Sequence, residues 1–191
     1  SRQEAGRLFE TLGLEKAVVK VESPDILHKS DAGCVKLNIR SPKEAEEAFD
    51  AILANAKAYD GNARIDGVQV CEMMKPGTEL IIGVKNDPQF GPCVLCGLGG
   101  IYVEVFKDTA LGLAPLSTRE ATDMIDSLKS VKLLNGYRGQ PALDTKAFAD
   151  ALVEISRFAC EHTDEMAELD INPLFLYEEG LCAVDALYIK G

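Results

Sequence analysis

Asp170, Asn172 and Asp185 are the side chains whose types and spacing point most readily to chemistry. Asp170 and Asn172 stand two apart in the run Glu168-Leu169-Asp170-Ile171-Asn172-Pro173, so on a strand their side chains share one face. A polar turn around Glu178-Glu179-Gly180 precedes Leu181 to Ile189, which predicts a hairpin returning beside Leu169 to Tyr177. A turn of two or four residues sets Asn172 opposite Asp185, with Cβ atoms about 5 Å apart. A three-residue turn slips the register by one and separates them. Oxygen side chains so placed suit a hard cation, because Mg²⁺ takes one or two carboxylates and completes its shell with phosphate oxygens and water. The plainer reading is that these residues stop strands at a solvated edge. Against it, Leu169, Ile171, Leu174 and Val184 flank them, and polar groups in an apolar run need partners.

A second candidate is the segment Ser23-Pro24-Asp25-Ile26-Leu27-His28-Lys29-Ser30-Asp31-Ala32-Gly33, which follows a strand carrying Lys20. Backbone N–H groups in a small-residue turn can cradle phosphate, with a lysine as a point charge beside them. The segment matches neither a Walker loop nor a dinucleotide fingerprint. His28 also fits an ordinary loop histidine, and Gly97-Leu98-Gly99-Gly100 fits either close approach to a ligand or a hairpin turn. Glu72 and Glu79 are acids in strand-like runs, for which edge exposure is sufficient reason, and Met73-Met74 reads as core.

The elements that must position these groups follow from periodicity. Ala5, Leu8, Phe9 and Leu12 recur at helical spacing before Gly13, and Ala45, Phe49, Ile52, Leu53 and Ala56 do so after Ser41-Pro42, a cap followed by proline at the first helical position. Further helices are predicted from Thr118 to about Leu128 and from Asp144 to His162. Strands are expected over Lys16–Val21, Cys34–Ile39, Gly67–Met73, Glu79–Val84, Cys93–Leu98 and Ile101–Phe106, with the C-terminal hairpin after them. Short links between strands favour antiparallel pairing, so the fold class is α+β with a largely antiparallel sheet flanked by helices.

Composition narrows the partners. With 31 Asp+Glu against 20 Lys+Arg in 191 residues, the formal charge is −11, which disfavours nucleic acid and anionic membrane. No apolar run approaches the roughly 20 residues that cross a bilayer, and the expected location is cytoplasmic. The six cysteines are scattered singly through apolar stretches, where free thiols serve as small hydrophobes. Cys93 and Cys96 lie on one strand with thiols on opposite faces, and a single CxxC beside two histidines gives no zinc site.

The order of motifs carries more than any one of them. Lys20, Ser23 through Gly33, Glu72-Met73, Asp87-Pro88-Gln89-Phe90-Gly91-Pro92, Gly97 through Gly100 and Glu168 through Pro173 together resemble the ATP-grasp (beta) part of ADP-forming acyl-CoA synthetases, which is related to the succinyl-CoA synthetase beta subunit. The resemblance covers nearly the whole chain. It implies one ATP-grasp region over 1–191, with a small, incomplete lobe over about 1–70 and a C-terminal lobe over about 71–191. It implies interconversion of acyl-CoA, ADP and phosphate with acid, CoA and ATP through phosphohistidine. His28 then matches the phosphoryl carrier, Asp170 the acid that steadies it, Lys20 the nucleotide-phosphate lysine, Glu72 and Met73 the adenine-binding hinge, and Asn172 and Asp185 the Mg²⁺ ligands. A companion alpha subunit or domain, separate or fused, would bind CoA and carry the other phosphohistidine.

Two departures stand out. Family members place some thirty residues between a first helix and the lysine strand, where Leu14-Glu15-Lys16 stands here. Cys34 occupies a position commonly glycine and is expected to stiffen the phosphate loop. Two other readings remain: a nucleotide-sensing ATP-grasp module beside a protein acetyltransferase, and a carboxylate–amine ligase of the wider group, which would not need His28.

Overall fold

The structure, a computed structural model, describes residues 1–100 and 107–191, so the strand expected over Ile101–Phe106 lies outside the described residues. The chain divides into two compact units, Ser1–Lys75 and Pro76–Gly191, each with its own apolar core.

In the first unit, α1 (Arg2–Thr11) and α2 (Pro42–Tyr59) pack on a three-stranded antiparallel sheet ordered β2 (Val35–Ile39), β1 (Ala17–Glu22), β3 (Gly67–Glu72). The start of α2 follows its sequence, since Ser41 Oγ accepts the Glu44 N–H at 3.2 Å ahead of Pro42. Alternation along β1 buries Ala17, Val19 and Val21 against Phe9, Ala45 and Ile52. Lys20, out of phase, stands on the opposite face, paired with Gln69.

The second unit holds β4 (Thr78–Asp87), β5 (Gly91–Leu98), β6 (Thr109–Leu113), α3 (Thr118–Ser127), α4 (Val131–Leu134), α5 (Thr145–Glu161), β7 (Met166–Leu176), β8 (Leu181–Ala183) and β9 (Ala186–Lys190). Its antiparallel sheet runs β6-β5-β4-β7-β8, with β9 also pairing β7. Leu80, Ile82, Val84, Val94, Cys96, Leu169 and Ile171 share a core with Met124 and Ile125 of α3 and Phe148 and Leu152 of α5. Gly83, paired with Asp170, and Leu95 point to the other face.

Three elements differ from expectation. The short α4 and β6 carry too little periodicity to be read, and the last strand is two. β8 ends at Ala183 and β9 begins at Ala186, so Val184 and Asp185 form a break within the predicted Leu181–Ile189 run. No helix among the described residues is long and apolar enough to cross a membrane.

Candidate functional site

In the hairpin, the turn Tyr177–Gly180 holds four residues and is closed by the Tyr177 N–H on the Gly180 carbonyl at 3.1 Å. Asp144, the N-cap of α5, fastens that turn. Its Oδ2 accepts the Gly180 N–H at 2.9 Å, its backbone N–H donates to Tyr177, and its Oδ1 accepts from Ala147. The Ala147 and Gly180 N–H groups hold the Asp144 carboxyl below the usual range. An even turn gives the register Leu176↔Leu181, Phe175↔Cys182 and Leu174↔Ala183, resumed by β9 at Ile171↔Ala186 and Asp170↔Leu187. Asn172 therefore lies directly opposite Asp185, and its N–H donates to the Asp185 carbonyl at 3.1 Å.

A bulge sits at the same place. Leu80 pairs with Leu174 but Ile82 with Ile171, so Asn172 and Pro173 together face the single residue Ile81. Such an extra residue bends a strand and re-aims its side chains. The Asn172 amide oxygen accepts the Gly100 N–H at 3.1 Å, drawing the end of the glycine run to the hairpin. That run must be glycine. A Cβ on Gly99 would collide with the Leu80 carbonyl, and Gly100, at φ +58°, has no room for one beside the Glu79 carboxylate. Asp170, Asn172 and Asp185 are all half-buried.

Among the described residues no group of three His, Cys, Asp or Glu gathers to hold a metal. The candidate centre is instead the pair Asn172 and Asp185, all oxygen and carrying one carboxylate. Those donors fit Mg²⁺, which leaves most of its shell to water and phosphate. The amide oxygen has two lone pairs, so the bond from Gly100 leaves one for a cation.

The other predicted residues belong to the first unit. Lys20 is half-buried on β1. Glu72 ends β3, exposed and paired with Ala17. Met73 follows it, half-buried, its N–H donating to the Lys16 carbonyl at 3.0 Å. His28 is exposed in the β1–β2 connection, on a turn closed by Ala32 N–H to His28 O, Gly33 N–H to Ser30 O and Cys34 N–H to Lys29 O at 3.1, 3.0 and 2.8 Å. Cys34 faces the core, fully buried, and burial pushes its thiol up. An apolar groove of about 520 Å³, lined by residues including Ala5, Leu8, Phe49, Leu53 and Val68, lies elsewhere on this unit and contains none of these groups.

Sequence reasoning missed Asp108, a buried carboxylate that accepts the Lys129 and Ser130 N–H groups, both at 2.8 Å. It missed Asn55 as well, whose amide donates to the Gly33 carbonyl at 2.7 Å. Neither has a local sequence signal, because each partner lies some twenty residues away in the chain.

A family model described as ATP-grasp domain matches residues 1–189. The chain is 45% identical over 172 residues to the beta subunit of acetate–CoA ligase [ADP-forming] I of Pyrococcus furiosus, taking in 90% of this chain and 74% of that one. It is 43% identical over 188 residues to acetate–CoA ligase [ADP-forming] I of Archaeoglobus fulgidus, covering 98% of this chain but 27% of that protein, so it spans about a quarter of that relative's length. The aligned stretch leaves no room inside it for thirty extra residues, which corrects the expectation of a segment missing at Leu14-Glu15-Lys16.

Among solved structures, the dinucleotide-forming acetyl-coenzyme A synthetase 1 of Ca. Korarchaeum cryptofilum, in complex with coenzyme A, Ca-AMPCP and HgCl+, superposes with TM-score 0.94 at 43% identity over 100% of this chain and 82% of that one. Another structure of that synthetase, with coenzyme A and Mg-AMPPCP, has its phosphohistidine segment pointing towards the nucleotide binding site, at 40% identity and TM-score 0.84 over 100% of this chain and 83% of that one. The antiparallel sheets flanked by helices and the match over 1–189 agree: the chain belongs to the ATP-grasp domain family.

Proposed function

We propose that this chain is the nucleotide-binding, phosphoryl-transferring part of an ADP-forming acid–CoA ligase, acting on ATP and ADP with Mg²⁺ through phosphohistidine. The observation that carries the reading is the register that sets Asn172 opposite Asp185, with Asp170 two residues before Asn172 on the same strand. The ligase names of relatives at 43–45% identity supply the reaction class.

His28 is the nucleophile. A neutral imidazole presents a nitrogen lone pair near pH 7. That lone pair attacks the terminal phosphorus of ATP, the N–P bond forms as the bond to the bridging oxygen breaks, and the electron pair leaves on ADP. The far ring nitrogen keeps its proton, and the ring carries the positive charge beside the phosphoryl group. The reverse sequence makes ATP. Lys20 places its ammonium against the nucleotide phosphates, and Glu72 and Met73, at the end of β3, take the adenine. Asn172 and Asp185 would hold Mg²⁺, which would supply positive charge to the phosphate oxygens, in keeping with a transfer that relies on positioned charge more than on covalent help from the protein.

Thioester chemistry falls to a companion alpha part, because no G-x-G-x-x-G opens a helix after a strand in this sequence. That partner binds CoA and carries the other phosphohistidine, as a separate subunit or within one longer chain. The test is synthesis. This chain alone should make no acyl-CoA from acid, ATP and CoA. With its partner it should, and His28→Asn in the same complex should lose several orders of magnitude of activity. Thioester formation by the isolated chain, or near-normal synthesis by His28→Asn, overturns the reading. A nucleotide-sensing module would bind Mg·ADP and synthesise nothing with any partner, and a carboxylate–amine ligase would tolerate asparagine at position 28.

A further inference from the structure

The turn bearing His28 is fastened at both ends by side chains that the phosphoryl-transfer chemistry does not use. At its entry, the buried Ser23 hydroxyl accepts the Asp25 and Ile26 N–H groups, both at 3.2 Å, and donates to the Arg64 carbonyl at 2.7 Å. Asp25 adds a bond from the Arg64 N–H to its Oδ2 at 2.6 Å, and Ile26 is fully buried. At its exit, α2 reaches across: Asn55 Nδ2 donates to the Gly33 carbonyl at 2.7 Å. Gly33 has φ +66°, and a Cβ there would lie 3.0 Å from that same nitrogen. Between the two clamps Leu27, His28, Ser30 and Asp31 are exposed.

We infer that Asn55 is a positioning residue for phosphoryl transfer at His28: it fixes the exit of the turn, so that the imidazole is a stationary acceptor. The inference rests on the reading of His28 as the carrier. Its physical basis is the geometry of Gly33, whose N–H closes the turn on Ser30 while its carbonyl is held by Asn55. Glycine samples both backbone hands almost equally. Without the amide bond the exit loses its lock, and the residues hydrogen-bonded through it lose their fixed place. Asparagine is a weak helix former, yet position 55 lies inside α2, within reach of Gly33. A reacting group displaced by about 1 Å loses on the order of 100-fold in rate.

The test uses the complete enzyme with its partner. Single-turnover transfer of labelled phosphate from ATP to His28 is measured beside Mg·ADP affinity by calorimetry. Asn55→Ala should slow transfer about 10- to 100-fold with Mg·ADP affinity unchanged. Asn55→Asp, which keeps the shape but loses the donor, should behave alike. Gly33→Ala, which sets a methyl against the Asn55 amide, should give the same loss by a different route. Ala54→Gly weakens the same helix at an exposed neighbouring position and should leave transfer at the wild-type rate. Wild-type transfer in both Asn55→Ala and Gly33→Ala, or equal slowing by Ala54→Gly, overturns the inference and leaves His28 as the carrier. A wild-type enzyme that never labels His28 overturns this inference and the reading beneath it together.

Discussion

Asn172→Ala removes the amide oxygen that accepts the Gly100 N–H at 3.1 Å, whereas Asp185→Asn, across the hairpin, leaves that bond alone. A neutral hydrogen bond contributes about 0.5–1.5 kcal/mol net. Gly100 is half-buried, so water replaces part of what is lost, and a cost of about 1 kcal/mol is expected. In a chain of this size that lowers Tm by roughly 2–4 °C. Asp185→Asn preserves shape, and the Asn172 N–H still donates to the carbonyl of residue 185, so its melt reports only what the carboxylate itself contributes. Affinity should fall in both variants. Each loses or weakens a cation ligand and should bind Mg·ADP at least about 10- to 100-fold more weakly, the range that altering a metal's outer partners already costs. Asp185→Asn should be the weaker binder, because a full carboxylate charge is gone. Scanning calorimetry reads the first quantity and titration calorimetry the second. Wild-type Mg·ADP affinity in both variants refutes the metal site, and an unchanged melt for Asn172→Ala refutes the tie to Gly100.

Four other measurements probe the buried groups and the glycine run. Asp108→Ala orphans the buried Ser130 N–H, at about 1–3 kcal/mol, and the part-buried Lys129 N–H, which water partly re-satisfies, so urea unfolding should show a loss of about 2–4 kcal/mol. Burial raises the Asp108 carboxyl, but the Ser130 hydroxyl and the Lys129 and Ser130 N–H groups outweigh it and hold the group below its ordinary value. Its contribution is full above the unfolded pKa of about 3.9 and is lost as pH falls through the depressed folded value, so the stability gap between wild type and Asp108→Asn should close in acid. Gly99→Ala should destabilise by about 1–3 kcal/mol in the same assay and weaken Mg·ADP, because the added Cβ strikes the Leu80 carbonyl beside the bond from Gly99 to Glu79. Maleimide at pH 8 should spare Cys96, pushed up to about 12 by burial, and the fully buried Cys34, and react first among the half-buried Cys71, Cys93, Cys160 and Cys182.

The hairpin was legible because a strand repeats every two residues: once the turn is even, Asn172 must face Asp185. The bulge at Asn172-Pro173 has a single sequence signal, a proline inside a strand run, and that signal does not say which residue becomes the extra one. Helix α2 announced itself through Ser41-Pro42 and its apolar stripe, while α4, a single turn, has no period to read. Splitting the last strand at Val184 and Asp185 depends on pairing across β7, which no local pattern encodes. Cys34 was expected to stiffen the phosphate loop through its backbone, and its fully buried thiol also fills the core, as expected of a free cysteine in an apolar stretch. The roles of Lys20, His28, Glu72 and Met73 came from resemblance, since residue types in a loop or at a strand end do not specify a reaction. Asn55 stayed hidden because its carbonyl partner is 22 residues distant and a polar residue on a helix ordinarily faces water.

Receipt of the phosphoryl group by His28 is visible by mapping phosphate on the chain by mass spectrometry, under conditions that preserve phosphohistidine, after the complete enzyme is incubated with ATP and Mg²⁺. Acid-labile phosphate is expected on the peptide containing His28, lost in His28→Asn while the fold and Mg·ADP binding survive. Undiminished labelling of this chain in His28→Asn, or no label at His28 in an enzyme that is turning over, would contradict it.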